Sequence, residues 1–314
     1  MSSQLAFDLE LERDNDSPLI GTAKNERTLM AYNFFSLTRD HQTELPYYDD
    51  GKVSIEVVGT KFGIANIWDK EVLIYLESLL QDRINRGEPP SPIFQFTAND
   101  LFRITGTKAA GTAYERLEAA LDRLKSTTVK TNLLDADGEG SEVTRSFSWI
   151  DDYKIVWRKN RKSMQSIRVV LGYRLYNAIL KKNHVLTYDS RYFKLCPLEK
   201  RLYEIARAHC GDQPGFKMGI EKLRLRVGMT IPLRHFKSKL QAISQRKSPL
   251  PGYGLSLIDP RIQRSLDTAR PAPTSRTPLK SYLVYFFRTD RLIDLRPVSE
   301  VPMVESLEAL GDDL

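Results

Sequence analysis

Positions 233–247 carry five cationic side chains and no acid. Their spacing suits one kind of chemistry, the gripping of phosphate oxygens and the reading of base edges. Phe236, Leu240 and Ile243 recur at i, i+4 and i+7, the period of a helix with a single apolar face. With that face turned inward, Arg234, Lys237, Ser238, Gln241 and Gln245 form the opposite stripe, and these are side-chain types that reach bases in a major groove. Lys239, Arg246 and Lys247 flank the stripe and suit salt-dependent phosphate contacts. A basic helix can equally be a solvated face, so the surrounding elements have to decide.

Those elements predict a helix-turn-helix. Residues 217–227 read as a helix, Gly228 as a turn and 233–247 as a second helix, with Arg224 and Arg226, beside Lys222, placed to hold the flanking DNA backbone. A preceding helix over 197–210 and strands over 253–258 and 280–287 complete the order of a winged helix. The loop from 259 to 278 is long, contains four prolines and carries Arg261, Arg264, Arg270 and Arg276, wing arginines that suit further phosphate contacts. A loop of that length inside a domain is usually functional or disordered.

The same order occurs upstream. A helix over 68–86 with Val72, Tyr75, Leu76, Leu79 and Leu80 on one side ends at Gly87 and a proline cluster. A strand over 93–96 follows, then a short helix over 98–104 capped by Thr97 with Asp100, a turn at Gly106, and a helix over 112–125. Two β-rich stretches, 128–134 and 143–157, then flank a turn-forming segment and are read as the hairpin. A shift of 122 residues carries Leu101 onto Leu223, Gly106 onto Gly228, Tyr114 onto Phe236 and Leu121 onto Ile243. We therefore expect an α+β protein with two tandem winged-helix domains. Residues 1–25 form an acidic, mobile leader, 26–165 the first domain, 166–296 the second and main DNA-binding domain, and 297–314 an acidic tail. A strand over 167–171 and a helix over 173–182 serve as a packed connector.

Charge is distributed to match. The chain of 314 residues, 41% hydrophobic and 10% aromatic, has enough apolar mass for two cores. Its net charge is +7, yet residues 151–250 alone hold 23 Lys or Arg against 7 Asp or Glu, so the remainder is net acidic. Segregation of this kind points to a polyanionic partner for one part of the chain. In the first domain the corresponding helix interleaves Glu115, Arg116, Glu118, Asp122, Arg123 and Lys125 and is electrically neutral, with spacings suited to pairing along the helix. It is expected to serve dimerisation or an auxiliary DNA contact, in which Arg116 and the turn residue Lys108 approach phosphates.

Other functions are tested by what the sequence lacks. No apolar run approaches the roughly 20 residues of a membrane span, and the acidic N-terminus lacks the pattern of a secretory signal, so the expected setting is cytoplasmic. Cys196 and Cys210 fall at opposite ends of one predicted helix, too far apart for a disulfide, and are read as reduced thiols. Residues 106–112 resemble a phosphate loop, but Thr112 stands where the lysine should be. His41, His184, His209 and His235 are scattered and make no zinc site. No cofactor, metal or catalytic residue is expected. Gln4, Leu5, Phe7 and Leu9 resemble the short peptide by which bacterial proteins dock on the replicative sliding clamp, a pocket-for-side-chain interaction. A first strand explains them equally well.

The chain resembles the plasmid replication initiator protein A family of bacteria. The resemblance is carried by Thr105 and Gly106 through Thr128, where Tyr114, Glu115, Arg116, Leu117, Glu118, Ala119, Ala120, Leu121, Asp122, Arg123 and Leu124 lead into Ser126, Thr127 and Thr128. Leu198 to Tyr203 and the helix containing Lys239 and Leu240 support it. The resemblance implies a non-catalytic protein that binds repeats in a plasmid origin as double-stranded DNA, helps open the duplex and recruits a host helicase, initiator and sliding clamp. It also implies a homodimer that can give way to a monomer, and a nucleoid- or plasmid-associated location. A winged-helix transcriptional repressor without initiator activity and a nicking replication enzyme stand as alternatives.

Overall fold

Apolar residues alternate over Ile93–Phe96 and Gly215–Gly219 and recur at helical spacing elsewhere, and these two periods build a mixed α+β protein. The computed structural model describes residues 16, 19, 22–133, 145–159, 163–182, 185–211, 213–262, 277–291 and 303. Two units emerge. One holds the residues up to Glu26 together with Thr38–Ser190, and the other holds Arg27–Leu37 together with the chain from Arg191 onward. The chain therefore passes between units at residues 26/27, 37/38 and 190/191, and Arg27–Leu37 joins a body whose other residues lie far along the sequence.

Numbered along the chain, β1 (Lys24–Glu26) precedes α1 (Arg27–Ala31), which belongs to the second unit. The first unit continues with β2 (Tyr48–Asp49), β3 (Ser54–Val58), α2 (Lys70–Asn85), β4 (Ile93–Phe96), α3 (Ala98–Thr105), α4 (Gly111–Ser126), β5 (Thr128–Thr131), β6 (Arg145–Ser148), β7 (Ile150–Trp157), β8 (Met164–Leu171), α5 (Tyr173–Lys182) and β9 (Val185–Thr187). Its strands form an antiparallel β1-β9 pair, a sheet in the order β2-β3-β5-β6 and a sheet in the order β4-β8-β7. Helix α2 is buried almost all round: Val72, Leu73, Ile74, Leu76, Leu79 and Leu80 are joined in the interior by Lys70, Glu77 and Ser78. Glu77 accepts from the Asn25 side chain at 2.7 Å and from the Glu26 amide at 2.6 Å, and Ser78 Oγ accepts from the Lys24 amide at 2.7 Å, so this face of α2 fixes β1. Burial pushes the Glu77 carboxyl well above its ordinary range.

The second unit adds α6 (Pro197–Cys210), β10 (Gly215–Gly219), α7 (Ile220–Val227), α8 (Leu233–Ser244), β11 (Tyr253–Ile258) and β12 (Leu283–Arg288) to α1. Its sheet is antiparallel in the order β10-β12-β11, with Phe216 opposite Phe286 and Ser256 opposite Tyr285. The core consists of Leu202, Ile205, Phe216, Met218, Leu223, Phe236, Leu240 and Phe286. Helix α1 contributes Leu29 and Met30, and Phe34 and Phe35 follow it into the same interior.

Each unit thus contains helix, strand, helix, turn and helix, followed, after β5 and β6 in the first unit and directly in the second, by an antiparallel strand pair whose second member is central in a three-stranded sheet. The 122-residue correspondence lands on equivalent positions. Leu101 and Leu223 are both buried, as are Tyr114 with Phe236 and Leu121 with Ile243. Gly106 (φ 70°) and Gly228 (φ 81°) both end a helix in the left-handed conformation. The hairpin expected for the first unit forms in part: β5 pairs antiparallel with β6, Val129 opposite Phe147, but the rest of the second stretch departs from it. The stretch 143–157 divides between β6 and β7, which lie in different sheets, because the chain turns at Trp149, whose indole is fully buried. Strand β8, expected to be part of a connector, is the middle strand of its sheet, and residues 166–190 belong to the first unit.

Candidate nucleic-acid interface

Helix α8 docks on the second unit through the three side chains that its period selects: Phe236, Leu240 and Ile243 are buried. Arg234, Ser238, Lys239 and Gln241 are exposed on the helix, and no acidic side chain interrupts them. The helix ends at Ser244, three residues earlier than its charge pattern suggests, so Gln245 is its C-cap and Arg246 and Lys247 lie in the following turn. All three remain exposed. Arg246 is ion-paired with Glu199 at the start of α6 while keeping 57% of its side chain accessible. Arg234 Nε donates to His235 Nε2 at 3.2 Å.

Lys237 differs from its neighbours. It is half-buried, and its ammonium lies 3.4 Å from the centre of the Tyr282 ring. The Tyr282 hydroxyl donates to Asp259 at 3.1 Å, and Asp259 also accepts from Thr277 Oγ1 at 2.6 Å and from the Arg261 amide at 3.0 Å. A chain of contacts thus runs from α8 to both ends of the β11–β12 loop. These hydrogen bonds hold the Asp259 carboxyl below its ordinary value although desolvation pulls it upward. Arg261 lies beside this network, half-buried. Arg264 lies outside the described residues, as do Gln4, Leu5, Phe7 and Leu9.

Two arginines of α7 do not face solvent as expected. Arg226 is fully buried, donates to His209 Nε2 at 3.1 Å and to the Tyr32 hydroxyl at 3.2 Å, and lies 4.2 Å from the centre of the Tyr32 ring. It therefore acts inside the unit, joining α7 to α6 and to the segment after α1, and cannot reach a phosphate from that position. Arg224 donates to the Ile231 carbonyl at 2.9 Å and so braces the turn ahead of α8. A sequence pattern marks both residues only as cationic, and their burial follows from non-local partners. Around Arg226, Arg201 pairs with Glu204 and donates to the Met30 carbonyl at 3.1 Å. His209 is held well below its ordinary pKa, first by burial and then by the Arg226 charge.

The equivalent helix of the first unit, α4, is committed differently. Arg123 makes two hydrogen bonds of 2.7 Å to Asp69, Lys125 pairs with Asp152 at 2.6 Å, and Asp122 accepts from Tyr153 at 2.6 Å. Asp122, Arg123 and Lys125 are thus satisfied by other elements and not along the helix as their spacing suggested. Lys108 and Arg116 are exposed. Beside them a cavity of about 320 Å³ opens between the start of α2, the end of α3 and α4, lined by Arg39, Trp68, Asp69, Arg116 and Arg123 among others. Among the described residues, no group of three or more His, Cys, Asp or Glu side chains is placed to hold a metal, and no helix is long and apolar enough to cross a membrane.

A mixed α+β protein with a docked, acid-free helix beside a β-hairpin belongs to a broad class of folds, and comparison with known proteins narrows it. Residues 24–255 match the model of the family described as Replication initiator protein A. A protein of Wigglesworthia glossinidia brevipalpis, described as "Putative replication protein", is 37% identical over 243 residues, covering 76% of this chain and 86% of that protein. The chain belongs to the replication initiator protein A family. Two crystal structures of domains 2 and 3 of RctB are similar in fold. One superposes with a TM-score of 0.57 at 15% identity over 82% of this chain and 97% of the other, and the second with 0.50 at 16% over 84% and 97%.

Proposed function

We propose that the protein initiates plasmid replication by binding repeated duplex sites at the origin through α8, and that both units are winged helices. The observation that carries this reading is the helix itself. Its apolar face is fixed in the core by Phe236, Leu240 and Ile243, while Arg234, Ser238, Lys239 and Gln241 remain outside without an acid among them. In a helix-turn-helix the second helix enters the major groove with its N-terminal residues at the base edges. Arg234, Lys237, Ser238 and Gln241 take that role here, while Lys239, Gln245 and Lys247 contact phosphates and the β11–β12 hairpin, with Arg261 at the start of its loop, flanks the groove. Arg246 contributes its charge from within its pair with Glu199. Family membership supports the further steps, opening of the adjacent duplex and recruitment of host replication proteins. The neutral surface of α4 suits a homodimer contact or an auxiliary DNA contact through Lys108 and Arg116.

The test is footprinting and binding anisotropy on the DNA beside the protein's own gene. Arg234→Ala should weaken specific binding by about 1–3 kcal/mol and relax discrimination at one base position. Lys247→Ala should weaken binding to all sequences alike and reduce the salt slope by about one unit. Unchanged affinity and slope in both variants would remove α8 from the interface. Protein-linked 5′ ends on supercoiled plasmid incubated with divalent metal would favour a nicking enzyme instead.

A further inference from the structure

The first unit holds a cleft whose charges the DNA reading leaves unexplained. Its volume of about 320 Å³ sits at the lower end of the range of small-molecule sites. Val72, Leu101, Phe102 and Leu117 supply an apolar floor. Three guanidinium groups line it, against the carboxylates of Asp69 and Glu71. One of the three, Arg123, is committed to Asp69 by two hydrogen bonds of 2.7 Å. Arg39 and Arg116 are exposed; the Arg39 charge acts on Asp69 through space, but among the described residues neither arginine is within ion-pair distance of a carboxylate. The carbon of the Arg39 guanidinium lies over the Trp68 ring, 4.0 Å from its centre. A cation–π contact of this kind uses the face of the guanidinium and leaves its N–H donors free to accept a planar or tetrahedral oxyanion.

We infer that this cleft binds a small phosphomonoester with a flat apolar body, of the size of a mononucleotide. The phosphate oxygens take the N–H donors of Arg39 and Arg116, which offer a bidentate fork each, and the apolar body lies on the floor beside Trp68. The Asp69–Arg123 pair closes the inner wall, where the Arg123 guanidinium offsets the Asp69 charge that would otherwise oppose the anion. The size of the cleft, its two arginines outside ion pairs and its aromatic wall are the same whether or not α8 reads DNA.

The full chain, without DNA, is titrated with adenosine 5′-monophosphate, adenosine and inorganic phosphate, followed by calorimetry and by tryptophan fluorescence. Saturable binding of the nucleotide is expected, with adenosine and phosphate each weaker, and with a fluorescence change that disappears in Trp68→Phe. Arg39→Ala and Arg116→Ala should each weaken nucleotide binding about 10- to 100-fold, the loss expected for a charge-assisted hydrogen bond, while circular dichroism stays as in the parent for both and Arg116→Ala, whose side chain is exposed, also leaves unfolding unchanged. No saturable binding at millimolar nucleotide would overturn the inference, as would undiminished, parental affinity in both arginine variants. A Trp68 response confined to duplex DNA would also overturn it, and would assign the cleft to a backbone phosphate instead.

Discussion

The two glycines related by the 122-residue shift allow a controlled experiment on the turns that set the helix angles. Gly106 and Gly228 both have positive φ, 70° and 81°, so alanine at either position incurs the left-handed penalty, about 1–2 kcal/mol. Reduced freedom of the unfolded chain offsets part of this equally in both. Their surroundings differ. Nothing lies within 4 Å of a Cβ built at Gly106, whereas a Cβ at Gly228 would stand 2.0 Å from Asn33 Nδ2 and 2.7 Å from its Cγ. Asn33 would have to leave its rotamer, at a further cost of about 1 kcal/mol. Gly228→Ala should therefore be the more destabilising by about 1 kcal/mol, and the excess should vanish when Asn33→Ala accompanies it. Urea unfolding followed by circular dichroism measures all four corners of the cycle. Equal losses at the two glycines, or an excess that persists without Asn33, would refute the reasoning.

Other outcomes follow from named contacts. Tyr282→Leu should lower DNA affinity by about as much as Lys237→Ala, and the double variant by no more than either, because the ring holds the ammonium through a contact worth about 0.5–2 kcal/mol; additive losses in anisotropy titrations would separate the two residues. Arg226→Ala should destabilise the protein by about 1–3 kcal/mol by taking a hydrogen-bond partner from the buried His209 and Tyr32, with the salt slope of any remaining DNA binding unchanged; a lower slope would place Arg226 on the DNA. His209 is neutral in the fold because its pKa is depressed. The unfolded chain takes up a proton near the ordinary value of about 6.5 and the folded one does not. The stabilisation is thus whole above that value and is lost as pH falls below it, by up to about 1.4 kcal/mol per pH unit. His209→Gln should flatten the dependence of the urea midpoint between about pH 7.5 and about pH 5.5, and a parallel profile would contradict burial of a neutral imidazole.

The sequence was most informative where local period and local chemistry agree. Phe236, Leu240 and Ile243 declared the buried face of α8, the capping pair of Thr97 and Asp100 marked the start of α3, where the Thr97 hydroxyl bonds Asp100, and Gly106 and Gly228 marked turns that only glycine adopts cheaply. Long-range partners were invisible to it. Arg226 looks like any surface cation until Tyr32 and His209 are known to surround it, and the separation of 194 residues between Arg226 and Tyr32 is beyond any window of periodicity. Strand β8 reads as a strand from its own residues, but its central place between β4 and β7 depends on partners that those residues do not announce. At the candidate interface the residue types were legible, but the Tyr282 ring under Lys237 and the Glu199 carboxylate on Arg246 were not.

The early segment Arg27–Leu37 has a consequence for how the protein comes into being. Leu29, Met30, Phe34 and Phe35 find their interior only in the unit built from Arg191 onward. At about 5–20 residues per second, the ribosome needs on the order of 10 s to produce the intervening chain, and for that interval four greasy side chains leave the exit tunnel with no home. Chaperone occupancy of this stretch during translation, and precipitation of any gene fragment opened at codon 191, are what such a delayed marriage entails.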